Sequence, residues 1–183
     1  GVPILSLGKF DEEVMSKKMN VKTKFKTLKT SSRLFLVVAD DSKELHQALY
    51  YAARRAATAG GEIALFRCIE PIEGQLWGGV TEIMEAEAEQ SSKKLLNELS
   101  EYCEKLGAPK PRTFVRKGIV QEELFNLIDK EETIRVLVLG VSTEHGNPGP
   151  LINYIINKGS NQCRVPITIV PGNLTDDQID ALV

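Results

Sequence analysis

The chain has 183 residues, 42% of them hydrophobic, and a formal charge of -2 at neutral pH, which suits one globular domain and excludes a fibre or a compositionally disordered chain. A pI near 5.8 speaks against a general nucleic-acid binder, whose electrostatic footprint is normally basic. No apolar stretch approaches membrane-spanning length, and Cys68, Cys103 and Cys163 are too scattered for a disulfide framework or a zinc site.

The expectation is therefore a protein of the reducing cytoplasm, without membrane or metal. Charge is unevenly spread along it. Residues 1–33 carry eight Lys and Arg against three Asp and Glu, a surplus of +5 that leaves -7 on the remainder. Residues 1–32 are assigned to a basic N-terminal extension. Its apolar positions, Val2, Ile4, Leu5, Leu7, Phe10, Phe25 and Leu28, are the anchors by which it is expected to dock.

Regular structure is predicted from Leu34, where LFLVVA is a short all-apolar run. Asp40, Asp41 and Ser42 follow with helix-capping chemistry, and Leu45, Ala48, Leu49, Ala52, Ala53 and Ala56 mark a helix face that ends at Gly60 and Gly61. Ile63–Ile69 reads as a second strand, followed by a loop containing Trp77 that could cover a site or a partner surface. From Val80 to Leu106, apolar positions including Met84, Ala88, Leu95, Leu99 and Tyr102 give a long amphipathic helix closed by Gly107. Glu82, Glu85, Glu87 and Glu89 form its solvated acidic opening.

Arg112–Arg116 is a weaker strand, turned at Gly118 into a helix with Ile119, Val120, Leu124, Leu127 and Ile128 on one side. Ile134–Leu139, apolar but for Arg135, is a run ended by Gly140, as in strands buried on both faces. A polar turn leads to Pro150, suited to a helix's first turn, and Leu151, Ile152, Ile155 and Ile156 recur at helical spacing. Val165–Val170 is the last strand, and residues 173–183 form a terminal helix with Thr175 as cap and Ile179 and Leu182 on one side. Strands alternating with helices predict an α/β fold, a parallel sheet with helices on both faces and ligands at its carboxyl edge.

LFLVVADDS at the first strand, ALFRCIEP at the second and VRKGIVQEELFNLIDKEETIRVLVLG from the third to the fourth resemble the universal stress protein family. The likeness spans residues 34–171, within an assigned domain of 33–172. It implies a three-layer sandwich with a five-stranded parallel sheet in the order 3-2-1-4-5, of the adenine nucleotide alpha hydrolase-like superfamily. It also implies homodimers paired through the last strand. VPITIV supports that pairing, because an apolar edge strand is a hazard unless covered, and places the interface at Val165, Ile167 and Ile169.

The family's ATP-binding branch carries G-x2-G-x9-G-[ST] after the fourth strand. Gly146, Gly149, Gly159 and Ser160 match it literally, but Gly159 and Ser160 lie so close to the last strand that they read as a helix end. The preferred register uses Gly140 and Gly149. There Thr143 stands for the second glycine and Pro150 for the hydroxyl residue, which removes an N–H and a hydroxyl from a phosphate cradle and leaves Ser142, Thr143 and Asn147 as substitute donors. On the adenosine side the resemblance implies Asp40, with Asp41 and Ser42, near the ribose and Cys68 against adenine. Asp40 as a helix cap and Cys68 as a core hydrophobe are the competing readings.

Two functions are thus expected: a stress-response module binding ATP, ADP or AMP in a degenerate site, or a dimeric interaction module of the same fold, with a protein partner and no nucleotide. Neither is catalytic beyond weak nucleotide hydrolysis. A small hydrolase using Ser142, Glu144 and His145 ranks below both, because no G-x-S-x-G elbow is present.

Overall fold

A computed structural model describes residues 33–71, 78–144, 146–159 and 161–183. The extension 1–32, Trp77, His145 and Ser160 lie outside the described residues.

The most apolar run in the N-terminal half, Leu34–Val38, becomes β1 at the centre of the sheet. It pairs with β2 (Glu62–Ile69) on one side and with β4 (Ile134–Val141) on the other. β3 (Arg112–Lys117) lies outside β2, and β5 (Ile167–Pro171) lies outside β4. All pairings are parallel, and the order is β3-β2-β1-β4-β5, the fold class expected.

A central strand covered on both faces needs apolar side chains at every position. Leu34, Leu36 and Val38 accordingly face one core with Ala64, Phe66, Leu137 and Leu139, under α3 (Val120–Lys130) and α4 (Pro150–Tyr154). Val37 and Ala39 face the other with Ile63, Leu65 and Val138, under α1 (Leu45–Ala59) and α2 (Val80–Lys105). Each large side chain so buried contributes about 1.5–3 kcal/mol. Ala48, Ala52, Ala53 and Ala56 bring α1 close to the sheet. The last helix, α5 (Asp176–Asp180), is tied to α1 by polar contacts: His46 to Asp176 at 2.9 Å, Tyr50 to Asp180 at 2.9 Å and Arg54 to Asp180 at 3.0 Å.

Several local expectations are corrected. Gly140 does not end its strand: it pairs with Val170, and β4 continues to Val141. Its lack of a side chain serves packing, since an added Cβ would run into the Glu44 carbonyl oxygen at the start of α1. The N-cap of α1 is Glu44, without a side-chain cap, because Asp40 and Ser42 bond to each other instead. On α2 the buried line is Ser92, Leu96, Ser100 and Cys103, one residue on from the predicted leucines, and Met84 is exposed. Ile119 is half exposed as the N-cap of α3, and Leu182 is exposed beyond the end of α5.

α4 is a single five-residue segment that widens into a π-turn over Ile155–Gly159, leaving Ile156 exposed. Gly159 packs there against the rings of Tyr154 and Phe125, where a Cβ would lie 3.0 Å and 3.1 Å from them. β5 begins at Ile167 because Pro166 has no N–H for the ladder, and Val165 turns into the core instead of joining the strand. Its neighbour Arg164 donates to the carbonyls of Ile128, Glu131 and Ile134, at 2.7, 3.0 and 3.2 Å, joining the end of α3 to the start of β4.

Candidate functional site

Where β1 and β2 end, the chain diverges to α1 and α2 and leaves a cavity of about 720 Å³ at the sheet's carboxyl edge. Val38, Ala39, Asp40 and Asp41 line it from β1 and its following turn, and Arg67, Cys68, Ile69 and Glu70 from the end of β2. Ala88, Ser91, Ser92 and Leu95 of α2 close one side; Val120 and Gln121 of α3 and Pro150 and Leu151 of α4 close the other. Its size falls within the range of small-molecule sites, and its walls combine apolar surface with a few polar groups.

Asp40 is held by a local turn: Oδ1 accepts from the Ser42 N–H at 3.0 Å and from the Ser42 hydroxyl at 2.6 Å. Its Oδ2 has no partner among the described residues. Arg67 reaches across the end of β1, where Nη1 donates to the Ala39 carbonyl at 3.0 Å and meets Asp41 Oδ1 at 3.0 Å. Nη2 donates to Asp41 Oδ2 at 3.3 Å, while Nε is buried without an acceptor. Ser92 is buried at the cavity wall.

Cys68 donates its thiol to the Gly118 carbonyl at 3.3 Å. Burial first, and then the charges of Glu123 and Glu70, push its pKa up to about 11, so it is a neutral wall and not a nucleophile at neutral pH. Gly118, at φ 144°, makes the turn that sets the start of α3 over the cavity, and its N–H bonds to the Ile69 carbonyl at 3.0 Å.

The turn after β4 is chemically different. Ser142 Oγ accepts from the Glu144 N–H at 3.2 Å, and Asn147 Oδ1 accepts from the Gly149 N–H at 3.2 Å and from Asn153 at 3.3 Å. Pro150 supplies no N–H at all. Two N–H groups that a phosphate cradle would aim outward are used within the turn.

The sequence-stated site residues thus divide. Asp40, Asp41 and Cys68 line the cavity, and Ser42 is bonded to Asp40 beside it. Gly140, Ser142, Thr143 and Gly149 are not among the lining residues, and the open face of Gly140 is filled by Glu44. Sequence reading passed over Arg67, Glu70, Ser92 and Gln121. The available signal was Arg67 itself, a cation inside an otherwise apolar strand run, two residues from its carboxyl end.

A family model described as the universal stress protein family matches residues 32–171. The chain belongs to that family. Among curated proteins, none matches the sequence significantly. Solved structures of similar fold include the universal stress protein UspA from Lactobacillus plantarum, at 16% identity and a TM-score of 0.63 over 77% of this chain and 99% of that one. A universal stress protein solved in complex with cAMP has 16% identity and a TM-score of 0.53, covering 79% of this chain and 100% of its own. The universal stress protein from Archaeoglobus fulgidus in complex with dAMP has 18% identity and a TM-score of 0.53, covering 76% and 97%. At these identities the structural likeness speaks to fold. The chemistry of the site in this universal stress protein is set by its own residues.

Proposed function

We propose that the protein is a stress-response module that acts by binding an adenine nucleotide, without catalysis, in the cavity between the carboxyl ends of β1 and β2. The observation that carries this reading is Asp40, fixed by Ser42 at one oxygen and unspent at the other, on the rim of a cavity of about 720 Å³ with an apolar wall. A ribose diol suits the free carboxylate oxygen, and Val38, Ile69 and Leu95 offer apolar surface to a purine. Family membership and the relatives solved with cAMP and dAMP support the choice of ligand class. This reading takes the site as degenerate on its β4 side, where the Glu144 and Gly149 N–H groups are spent on Ser142 and Asn147.

A purely protein-binding module of the same fold is the second reading, favoured by Ile169, which is 45% exposed on the edge strand β5. We propose a homodimer formed at that edge in either case, in the cytoplasm. Nucleotide released on denaturing the purified protein, followed by calorimetric titration with ATP, ADP and AMP, tests the first reading; no release and no heat would leave the second. Ile169→Lys is expected to lower the mass in light scattering, and an unchanged dimer would move the interface elsewhere.

A further inference from the structure

We propose that Arg67 is the charge-reading residue of the cavity, taking one phosphate group, so that the site selects a nucleoside monophosphate over both the free nucleoside and the triphosphate. The inference rests on the adenine-nucleotide reading above and adds to it where the phosphate is held and how many are accepted.

Arg67 is the one basic residue lining the cavity among those described, against Asp40, Asp41 and Glu70. Its side chain is 20% exposed, and it is held from below by the Ala39 carbonyl at 3.0 Å. That bond to the main chain positions the guanidinium whatever its carboxylate partner does. The partner is loosely held by comparison: Asp41 is 84% exposed, and exposed ion pairs contribute little net free energy because water and salt screen them. The Arg67–Asp41 pair therefore behaves as an exchangeable cover on a fixed cation.

The guanidinium also has unused capacity. Nη1 and one edge of Nη2 are committed to Ala39 and Asp41, while Nε is buried with no acceptor, an unfavourable state for a donor. The neighbouring Nε and Nη2 hydrogens form a planar fork that matches two oxygens of one phosphate. When Asp41 is released, the guanidinium pivots on its Ala39 tether until that fork faces the cavity, and the phosphate satisfies a donor that the empty protein leaves unpaired.

The same surroundings limit the ligand to one such group. A second and third phosphate would extend toward Asp40, Asp41 and Glu70, like charges with no further basic side chain in the lining to offset them. The turn after β4 adds no cation, and its Glu144 and Gly149 N–H groups are taken by Ser142 and Asn147. One phosphate gains the arginine; additional ones gain no further cation and approach carboxylates.

The test is calorimetric titration of the full chain, in magnesium-free buffer, with adenosine, AMP and ATP. Wild type is expected to bind AMP about tenfold or more tightly than adenosine, the scale of a charge-assisted hydrogen bond, and more tightly than ATP. Arg67→Met, checked for folding by its melting curve, should bring AMP down to the level of adenosine without weakening adenosine. Asp41→Asn, at an exposed position, should raise the AMP to adenosine ratio severalfold by freeing the guanidinium. A ratio unchanged in Asp41→Asn, or in folded Arg67→Met, overturns the role of Arg67 even if adenine compounds bind, and so does ATP binding more tightly than AMP. If wild type binds none of the three, the nucleotide reading itself fails and this inference falls with it.

Discussion

Two neighbouring parts of the sheet's carboxyl edge, the β1–β2 side and the β4–α4 side, are built from similar materials and left in different states. Each has a polar turn after a buried strand, with carboxylates, serine and small residues. On the β1–β2 side the backbone turns diverge, and a carboxylate oxygen and a guanidinium edge are unspent around an open volume. On the β4–α4 side the Ser142 and Asn147 side chains accept from the N–H groups two residues on, Glu144 and Gly149, and Glu44 of the α1 entry fills the space over Gly140. Glycine at a strand end is therefore ambiguous: it marks a close approach, but the approaching group can be another part of the chain as well as a ligand.

The strongest way to break this contrast is Gly140→Ala. If Gly140 is a packing residue, the new Cβ meets the Glu44 main chain, and denaturant unfolding should show a loss of about 2 kcal/mol or more, the upper range for overpacking. Undiminished stability with lost ligand binding would return Gly140 to the site.

A second test uses the cavity wall. With pKa values raised to about 11 and about 12, chiefly by burial, Cys68 and Cys103 should alkylate at pH 8 more slowly than in the unfolded chain, by about an order of magnitude or more. Both folded values lie above the unfolded one, so the unfolded state loses its protons first. Stability is then fully retained below pH 9 and falls as pH rises from 9 through 11. Occupation of the cavity by AMP should slow Cys68 further and leave Cys103 unchanged; equal protection of both would mean that the ligand acts through global stability.

Asp40→Ala addresses the ribose role. Removing the free carboxylate oxygen should weaken adenosine, AMP and ATP alike, by about tenfold, since a hydrogen bond to a charged group is at stake and it is common to all three. A loss confined to phosphorylated ligands in isothermal titration would show that Asp40 positions the Arg67 side of the cavity instead.

How far these features were legible in the sequence follows from their physical range. The apolar run at Leu34–Val38, the run Ile134–Leu139 that is apolar but for Arg135, and the alanine face of α1 fix strands, helix and layers through local patterning, and those were readable. Boundaries that depend on a distant partner were not. Gly140 looks like a stop until β5 is seen pairing beyond it, and Val165 looks like a strand residue until Pro166 and Arg164 are seen to hold it inward. The site divides on the same principle. Asp40 and Cys68 sit at strand ends that topology alone brings together, whereas Ser92 and Gln121 reach the cavity through the rotation of α2 and the Gly118 turn. On α2, serines at the buried positions displaced the expected leucine stripe by one residue, and binary patterning does not resolve that shift.

The finest distinction between the two sides rests on Pro150, which lines the cavity from the far wall and begins α4. Pro150→Ser restores one N–H and one hydroxyl to a turn that otherwise keeps its donors for itself. Neither group carries charge, so the gain should be no more than a neutral hydrogen bond, about two- to tenfold in affinity. With the first phosphate on Arg67, the restored donors should serve only those beyond it: ATP should gain, AMP and adenosine should not. Parallel titrations with the three ligands decide the matter. Equal gains for all three would mean that serine merely relaxes the start of α4. A gain for AMP alone would place its phosphate on the β4 side, and the division between an open and a self-satisfied edge would have to be redrawn.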